Sequence, residues 1–259
     1  MARFTDKVCI VTGGASGIGA RTAEMFAEQG GKVVIGDVND KLGTEVCEGI
    51  GADLAVYMHL DVTDPEACQA AVNLAVELFG SVDCVVNSAV KMAPGLLKDL
   101  SLEDWSTMVN VGLTGSFLMI QAAGRWMIDN ERPGSIITIS SVGGRQPYGM
   151  SGAYSTVKAS LIMLARHFAI EWAGNGIRVN AVCPGHTETP LTAYLQDPVI
   201  KKGRSDVTPL QRVGQPVDIA NGIMFLLSDE ADYITAAALD IDGGLSMSLM
   251  NHMPGRKWG

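Results

Sequence analysis

The sequence predicts an α/β protein built on a single doubly wound parallel sheet of about seven strands with helices on both faces, and three observations carry that prediction. Short β-branched runs alternate with amphipathic helical stretches along nearly the whole chain. A glycine-rich turn, Thr12-Gly13-Gly14-Ala15-Ser16-Gly17-Ile18-Gly19, joins the first such run to the first helix. The 259 residues, 47% of them hydrophobic, suffice for one large core, and neither a linker, a charge block, a repeat nor a low-complexity tract divides them. One domain over residues 1–259 is the economical count.

The elements follow in order. Residues 7–11 form a strand and residues 20–29 a helix, with the glycine turn between them. Missing side chains at Gly13, Gly17 and Gly19 let backbone N–H groups approach a pyrophosphate, whose charge suits the positive end of the helix. A second strand, 32–35, leads to Asp37, 18 residues past Gly19, where a carboxylate can bind an adenosine ribose. Asn39-Asp40 then reads as turn chemistry. Asp37 would repel a 2′-phosphate, and Ser16, Gly36 and Val38 offer it no basic partner, so NAD is favoured over NADP.

Residues 55–60 form a third strand closed by Asp61-Val62, and 65–79 a helix capped by Asp64 with proline in its first turn. The fourth strand, 82–86, ends in Asn87-Ser88-Ala89-Val90. Residues 102–127 carry a long apolar helical pattern containing Asn110, a polar residue that either caps a kink or satisfies a backbone carbonyl. After the Pro133-Gly134 break, strand 135–139 delivers Ser140-Ser141 to its carboxyl end, where open parallel sheets place ligands. Tyr154 and Lys158, four residues apart at the start of the next helix, share one of its faces; a cation beside a phenol favours the phenolate. A sixth strand, 177–182, runs into Cys183-Pro184-Gly185, and the weakly periodic segment 186–212 reads as a loop, a lid or a binding element. Helix 217–228 and strand 238–241 complete the sheet before a tail at 245–259.

Composition excludes several classes of function. A formal charge of −9 disfavours a phosphate-backbone binder, and no apolar run reaches the ~18 residues that span a bilayer. The five cysteines, with no paired C-x-x-C spacing, read as reduced thiols, and residues 1–7 lack a secretory leader pattern, so a cytoplasmic location is expected. His59, His167, His186 and His252 show no metal-ligand spacing, and no metal is expected.

Together these motifs resemble the short-chain dehydrogenase/reductase family in its compact form, a resemblance that covers nearly the whole chain. Thr12, Gly13, Gly17 and Gly19 match its T-G-x-x-x-G-x-G turn and Tyr154 with Lys158 its Y-x-x-x-K pair. Ser141 stands thirteen residues before the tyrosine, and Val109-Asn110-Val111 matches the asparagine motif. The resemblance implies a Rossmann-like fold and hydride exchange between a secondary alcohol or ketone and NAD. Tyr154 would move the proton, Lys158 would lower the Tyr154 pKa and hold the ribose, Ser141 would orient the substrate oxygen, and Asn110 would hold a water beside Lys158. The implied cofactor set adds Ser16, Ile18, Asp37, Asp61, Val62, Asn87, Pro184, Gly185, Thr187 and Thr189.

Two positions depart from the family pattern: Val90 replaces a glycine and Thr187 an aliphatic residue. Val90, Met92, Val142, Tyr148, Met150, His186 and parts of the 190–212 segment are expected to face substrate, under a tail containing Met247, Leu249, Met250 and Met253. A hydrophobic or aromatic-bearing alcohol or ketone is expected; sugars or polyols, hydroxysteroids and 3-oxoacyl groups are the alternatives. A non-catalytic NAD-binding sensor or assembly protein is the rival from another class. Family likeness also implies dimers or tetramers formed through helices 102–127 and 153–173, with Phe117, Phe168 and Trp172 on their apolar faces.

Overall fold

The computed structural model describes residues 2–248. Seven strands form one sheet in the order β3-β2-β1-β4-β5-β6-β7, every neighbouring pair parallel. They are β1 (Val8–Thr12), β2 (Lys32–Asp37), β3 (Ala55–His59), β4 (Cys84–Asn87), β5 (Gly134–Ile139), β6 (Ile177–Pro184) and β7 (Ala238–Ile241). Helices cover both faces, so the central strands are apolar on both sides: Val8 and Ile10 enter one core with Val72, Met119 and Phe168, while Cys9 and Val11 enter the other with Phe26 and Met224. Strand order reverses between β1 and β4, and a crevice opens there at the carboxyl ends of the strands.

The helices are α1 (Gly17–Glu28), α2 (Asp40–Ile50), α3 (Pro65–Phe79), α4 (Leu102–Val109), α5 (Gly115–Asp129), α6 (Tyr154–Trp172), α7 (Pro198–Asp206) and α8 (Pro216–Leu227). α3 starts as the sequence dictates, with Asp64 accepting from the Glu66 N–H at 2.8 Å and Pro65 in the first turn; it ends at Gly80 in the left-handed region, φ 83°.

Three expectations change. Asn39-Asp40 is more than a turn: Asn39 caps α2, accepting from the Leu42 N–H at 3.1 Å. Gly43 is the one buried residue of α2, lying against the Tyr57 ring, while Leu42, Val46, Cys47 and Ile50 form an apolar stripe whose last three residues pack partly buried on the core. The segment 186–212 is largely helical, with a 3-10 stretch at Pro190–Gln196 followed by α7. Its prolines at 190 and 198 sit in first turns, where a missing N–H costs nothing. The long helix of 102–127 is interrupted by a π turn at Asn110–Thr114, where Gly112 lets α6 approach so closely that a Cβ would lie 2.6 Å from a Val157 methyl. Phe117, Phe168 and Trp172 stack within the chain, at centroid separations of 6.0 and 4.4 Å.

Candidate active site

A groove of about 640 Å³ runs along the crevice, lined by Gly13, Ser16, Gly17, Ile18, Asp37, Ser141, Tyr154, Lys158, Pro184, Gly185, Thr187 and Thr189 among others. Its floor depends on two glycines. Gly13, at φ 64°, lies against the β4 end so tightly that a Cβ would sit 2.7 Å from the Ala89 nitrogen. A Cβ on Gly19 would lie 2.2 Å from the Gly13 carbonyl oxygen, a backbone atom that cannot swing aside. Gly19→Ala is expected to cost about 1–3 kcal/mol of stability and to abolish stabilisation by nicotinamide dinucleotide. Thermal melts with and without the dinucleotide check this; an unshifted apo melt with full stabilisation would overturn it.

The groove fits a dinucleotide on two counts. The first turn of α1 carries neither a side-chain cap nor an acidic residue, leaving its N–H groups to an anion. The Asp37 carboxylate is fixed at the groove by N–H donors from Ala15 (3.0 Å) and Asn39 (2.9 Å). Asn87, expected among the cofactor residues, is buried at the end of β4 with both side-chain amide atoms unpartnered inside the protein and does not line the groove.

At the other end of the groove the segment after β5 and the start of α6 converge. Ser140 Oγ donates to the Lys158 carbonyl at 2.6 Å, and a Cβ on Gly144 would collide with the Lys158 backbone, so a short 3-10 turn clamps α6 against the strand end. Lys158 is buried and donates from Nζ to the Ile139 carbonyl at 2.7 Å, 5.5 Å from the Tyr154 ring centroid. Ser141 Oγ accepts from the Gly143 N–H at 3.0 Å, which leaves its own proton to donate, and it hydrogen-bonds the Tyr154 hydroxyl.

The electrostatics depart from the pattern in the sequence. Burial pushes the Tyr154 phenol up to about 12, opposed in part by the hydrogen bond from Ser141. Burial also lowers the Lys158 ammonium to about 8. Desolvation is the largest cause of both shifts, which move in opposite directions because it penalises the charged form of each group.

Beside the groove lies a second cavity of about 550 Å³, lined by Met92, Val142, Pro147, Tyr148, His186, Leu191, Tyr194 and Leu245, with Arg204 also in its wall. Ser141 and Tyr154 line both cavities. The Glu188 carboxylate holds the helical segment over them, taking Lys201 of α7 at 2.7 Å and the Gln215 amide.

Several sequence-selected residues lie elsewhere. Val90 lines the groove and not the second cavity; Met150, at φ 61° and 63% exposed, lines neither. Asp61 turns back to accept from the Thr63 N–H and hydroxyl, and Val62 is buried against Gly115, so neither lines the groove. Asn110 starts the π turn with an exposed side chain outside both cavities. Thr187 is buried with its hydroxyl donating to the Gly185 carbonyl at 3.1 Å, which satisfies the polar group that replaces an aliphatic one. In the tail, Leu245, Ser246 and Ser248 face the second cavity and Met247 is 81% exposed; Leu249, Met250 and Met253 lie outside the described residues. Ser140 went unselected and supports Lys158 through the backbone; Tyr194 and Arg204 fall in the 190–212 segment expected to face substrate but were not singled out within it, because its helices leave no clear pattern.

Comparison with known proteins bears on what this geometry does. A family model described as enoyl-(acyl carrier protein) reductase matches residues 13–246. The chain is 42% identical over 250 residues to a 2,5-dichloro-2,5-cyclohexadiene-1,4-diol dehydrogenase of Sphingobium indicum, covering 95% of this chain and 99% of the relative. It is 38% identical to a trans-4-hydroxycyclohexanecarboxylate dehydrogenase of Sinomonas cyclohexanicum, covering 93% of each. A solved short-chain type dehydrogenase/reductase from Mycobacterium ulcerans superposes with a TM-score of 0.90 at 29% identity, over 95% of this chain and 91% of that one. The chain belongs to the short-chain dehydrogenase/reductase family. Members are dehydrogenases and reductases acting on CH–OH groups with a nicotinamide cofactor, and this short-chain dehydrogenase/reductase is an oxidoreductase interconverting alcohol and ketone. Among the described residues, no helix is long and apolar enough to cross a membrane, and no cluster of His, Cys, Asp and Glu has the makings of a metal site.

Proposed function

We propose that the protein is an NAD-dependent, cytoplasmic dehydrogenase/ketoreductase acting on a secondary alcohol borne by a hydrophobic or aromatic ring, and that it works as a dimer or tetramer. One observation carries the reading: Tyr154 and Ser141 stand where a dinucleotide-shaped groove meets a second cavity whose walls are mainly Met92, Val142, Pro147, Tyr148, Leu191 and Tyr194. A substrate oxygen at that junction meets both hydroxyls. Both relatives above are named for alcohols on six-membered rings, which supports a cyclic substrate. The five unpaired cysteines support a reducing compartment.

The nicotinamide cofactor supplies or takes the hydride when bound. Asp37 and the Gly13–Gly19 turn would hold its adenosine and phosphate portions, and Thr189, Pro184 and Lys158 would line the path of the remainder. For reduction, Tyr154 enters with its proton on, as its raised pKa requires at neutral pH, and donates it to the substrate oxygen. Ser141 donates to the same oxygen while the Gly143 N–H holds it in place. The Lys158 cation, oriented by the Ile139 carbonyl, stabilises the phenolate left behind. Oxidation reverses each transfer.

The test is a panel of secondary alcohols and ketones assayed with NAD and NADP by nicotinamide absorbance. Cyclic ketones should turn over with NAD; turnover confined to polyols or acyl-carrier thioesters would sink the reading. Asp37→Ala should narrow the NAD preference by about 10- to 100-fold, the value of one charge-assisted contact. An unchanged preference would remove Asp37 from cofactor choice.

A further inference from the structure

The alcohol–ketone reading leaves one charged side chain unused. Among the described residues lining the second cavity, Arg204 is the sole charged one and no Asp or Glu is present, in a chain with 28 acidic and 19 basic residues. Its neighbours on and after α7 are neutralised: Lys201 pairs with Glu188, Lys202 with Asp206 and Arg212 with Asp218. Arg204 has instead a 3.4 Å contact between Nη1 and His186 Nε2. His186 is itself held neutral, its pKa lowered to about 4 by burial and by Arg204, so the guanidinium charge stays uncompensated. A cation in the last turn of α7 complements the helix end, but that role does not require the side chain to line a cavity.

The surroundings fit one kind of ligand group. The Arg204 charge is felt at the Tyr148 hydroxyl, whose ring stands 6.4 Å from that of Tyr154, so the cation and the proton donor flank a common aromatic wall. Arg204 is itself exposed and enters the cavity wall from the solvent side, where its guanidinium presents a planar fork of donors that matches a carboxylate. The cavity volume of about 550 Å³ accommodates a ring between the two.

We propose that Arg204 is a specificity-determining residue that pairs with a carboxylate on a ring-bearing substrate whose alcohol carbon lies at Tyr154. The proposal rests on the alcohol–ketone reading for the second half of that statement only. Its test compares 4-oxocyclohexanecarboxylate with its methyl ester in the wild type, Arg204→Gln and Arg204→Lys. The wild type should favour the acid in kcat/KM by about 3- to 10-fold, the worth of a bidentate pair at an exposed guanidinium, mostly through KM. The preference should collapse toward unity in Arg204→Gln and return in part in Arg204→Lys. An acid-to-ester ratio equal in wild type and Arg204→Gln overturns the proposal. Titration with cyclohexanecarboxylate, which has no reacting oxygen, separates the two readings. Arg204-dependent binding without turnover of either ketone keeps Arg204 as a carboxylate site and overturns the alcohol–ketone reading; turnover of both ketones with no Arg204-dependent preference does the reverse. Neither binding nor turnover overturns both.

Discussion

Replacing Tyr154 with Phe is expected to lower turnover of a cyclic ketone by about 10²–10⁴-fold, the usual worth of a positioned general acid, with NAD binding nearly unchanged. Only one atom is lost. The ring keeps its contact with Tyr148 and its place over Lys158, and the groove glycines and Asp37 are untouched. The loss should therefore fall on kcat, with little change in KM. Cofactor binding, followed by fluorescence titration, serves as the control. Turnover within a few-fold of wild type would mean that another group, Ser141 or water, carries the proton. The raised phenol also sets a direction: with its pKa near 12, Tyr154 is protonated throughout the neutral range and stands ready to donate.

Lys158→Met is expected to make the protein more stable at pH 7 while disabling it. The folded-state pKa of Lys158 is lowered from its ordinary 10.5 to about 8, so between those values the unfolded chain binds more protons than the folded one. Wild-type stability should accordingly rise from this group as pH climbs from 8 to 10.5, and below pH 8 the buried ammonium costs about 3 kcal/mol. Methionine removes that cost at similar volume but takes the 2.7 Å donor from the Ile139 carbonyl, leaving a net gain of about 1–3 kcal/mol at pH 7. Denaturant unfolding of both proteins at several pH values checks this, because the difference cancels the other titrating groups. The gap should shrink above pH 8; a gap that is absent or independent of pH would show that Lys158 is not held against desolvation. The stabilised variant should also lose activity, since the phenolate formed on proton donation then faces no cation.

Much of this was legible before any coordinates. The glycine turn could be placed because part of its geometry is local: Gly13 takes a positive φ and a Cβ on Gly19 would strike the Gly13 carbonyl, whereas the β4 end that presses on Gly13 is set by the fold. Tyr154 and Lys158 share a helix face because four residues make about one turn, and Ser141 reaches them because a strand ends beside it. The π turn at Asn110–Thr114 left no mark on the apolar pattern, since one extra residue in a ladder shifts the stripe too little to see. α7 was hidden for the opposite reason: it buries none of its residues and is held at its start by its cap, Asp197. α2 does carry a stripe, Leu42, Val46, Cys47 and Ile50, and was passed over because Asn39-Asp40 reads equally well as a turn.

By itself the sequence determined the alternation of strand and helix, the cofactor turn, the acidic residue at the end of β2 and the order of serine, tyrosine and lysine along the chain, because each depends on neighbours within a turn or a strand end. Only the tertiary structure decided how those groups behave. The Tyr154 phenol rises where the bare pair implied a fall, because desolvation sums over every segment packed around it. Arg204, unremarkable in a helix that went unseen, becomes the single charge among the described residues lining the second cavity because folding carries the acidic side chains elsewhere.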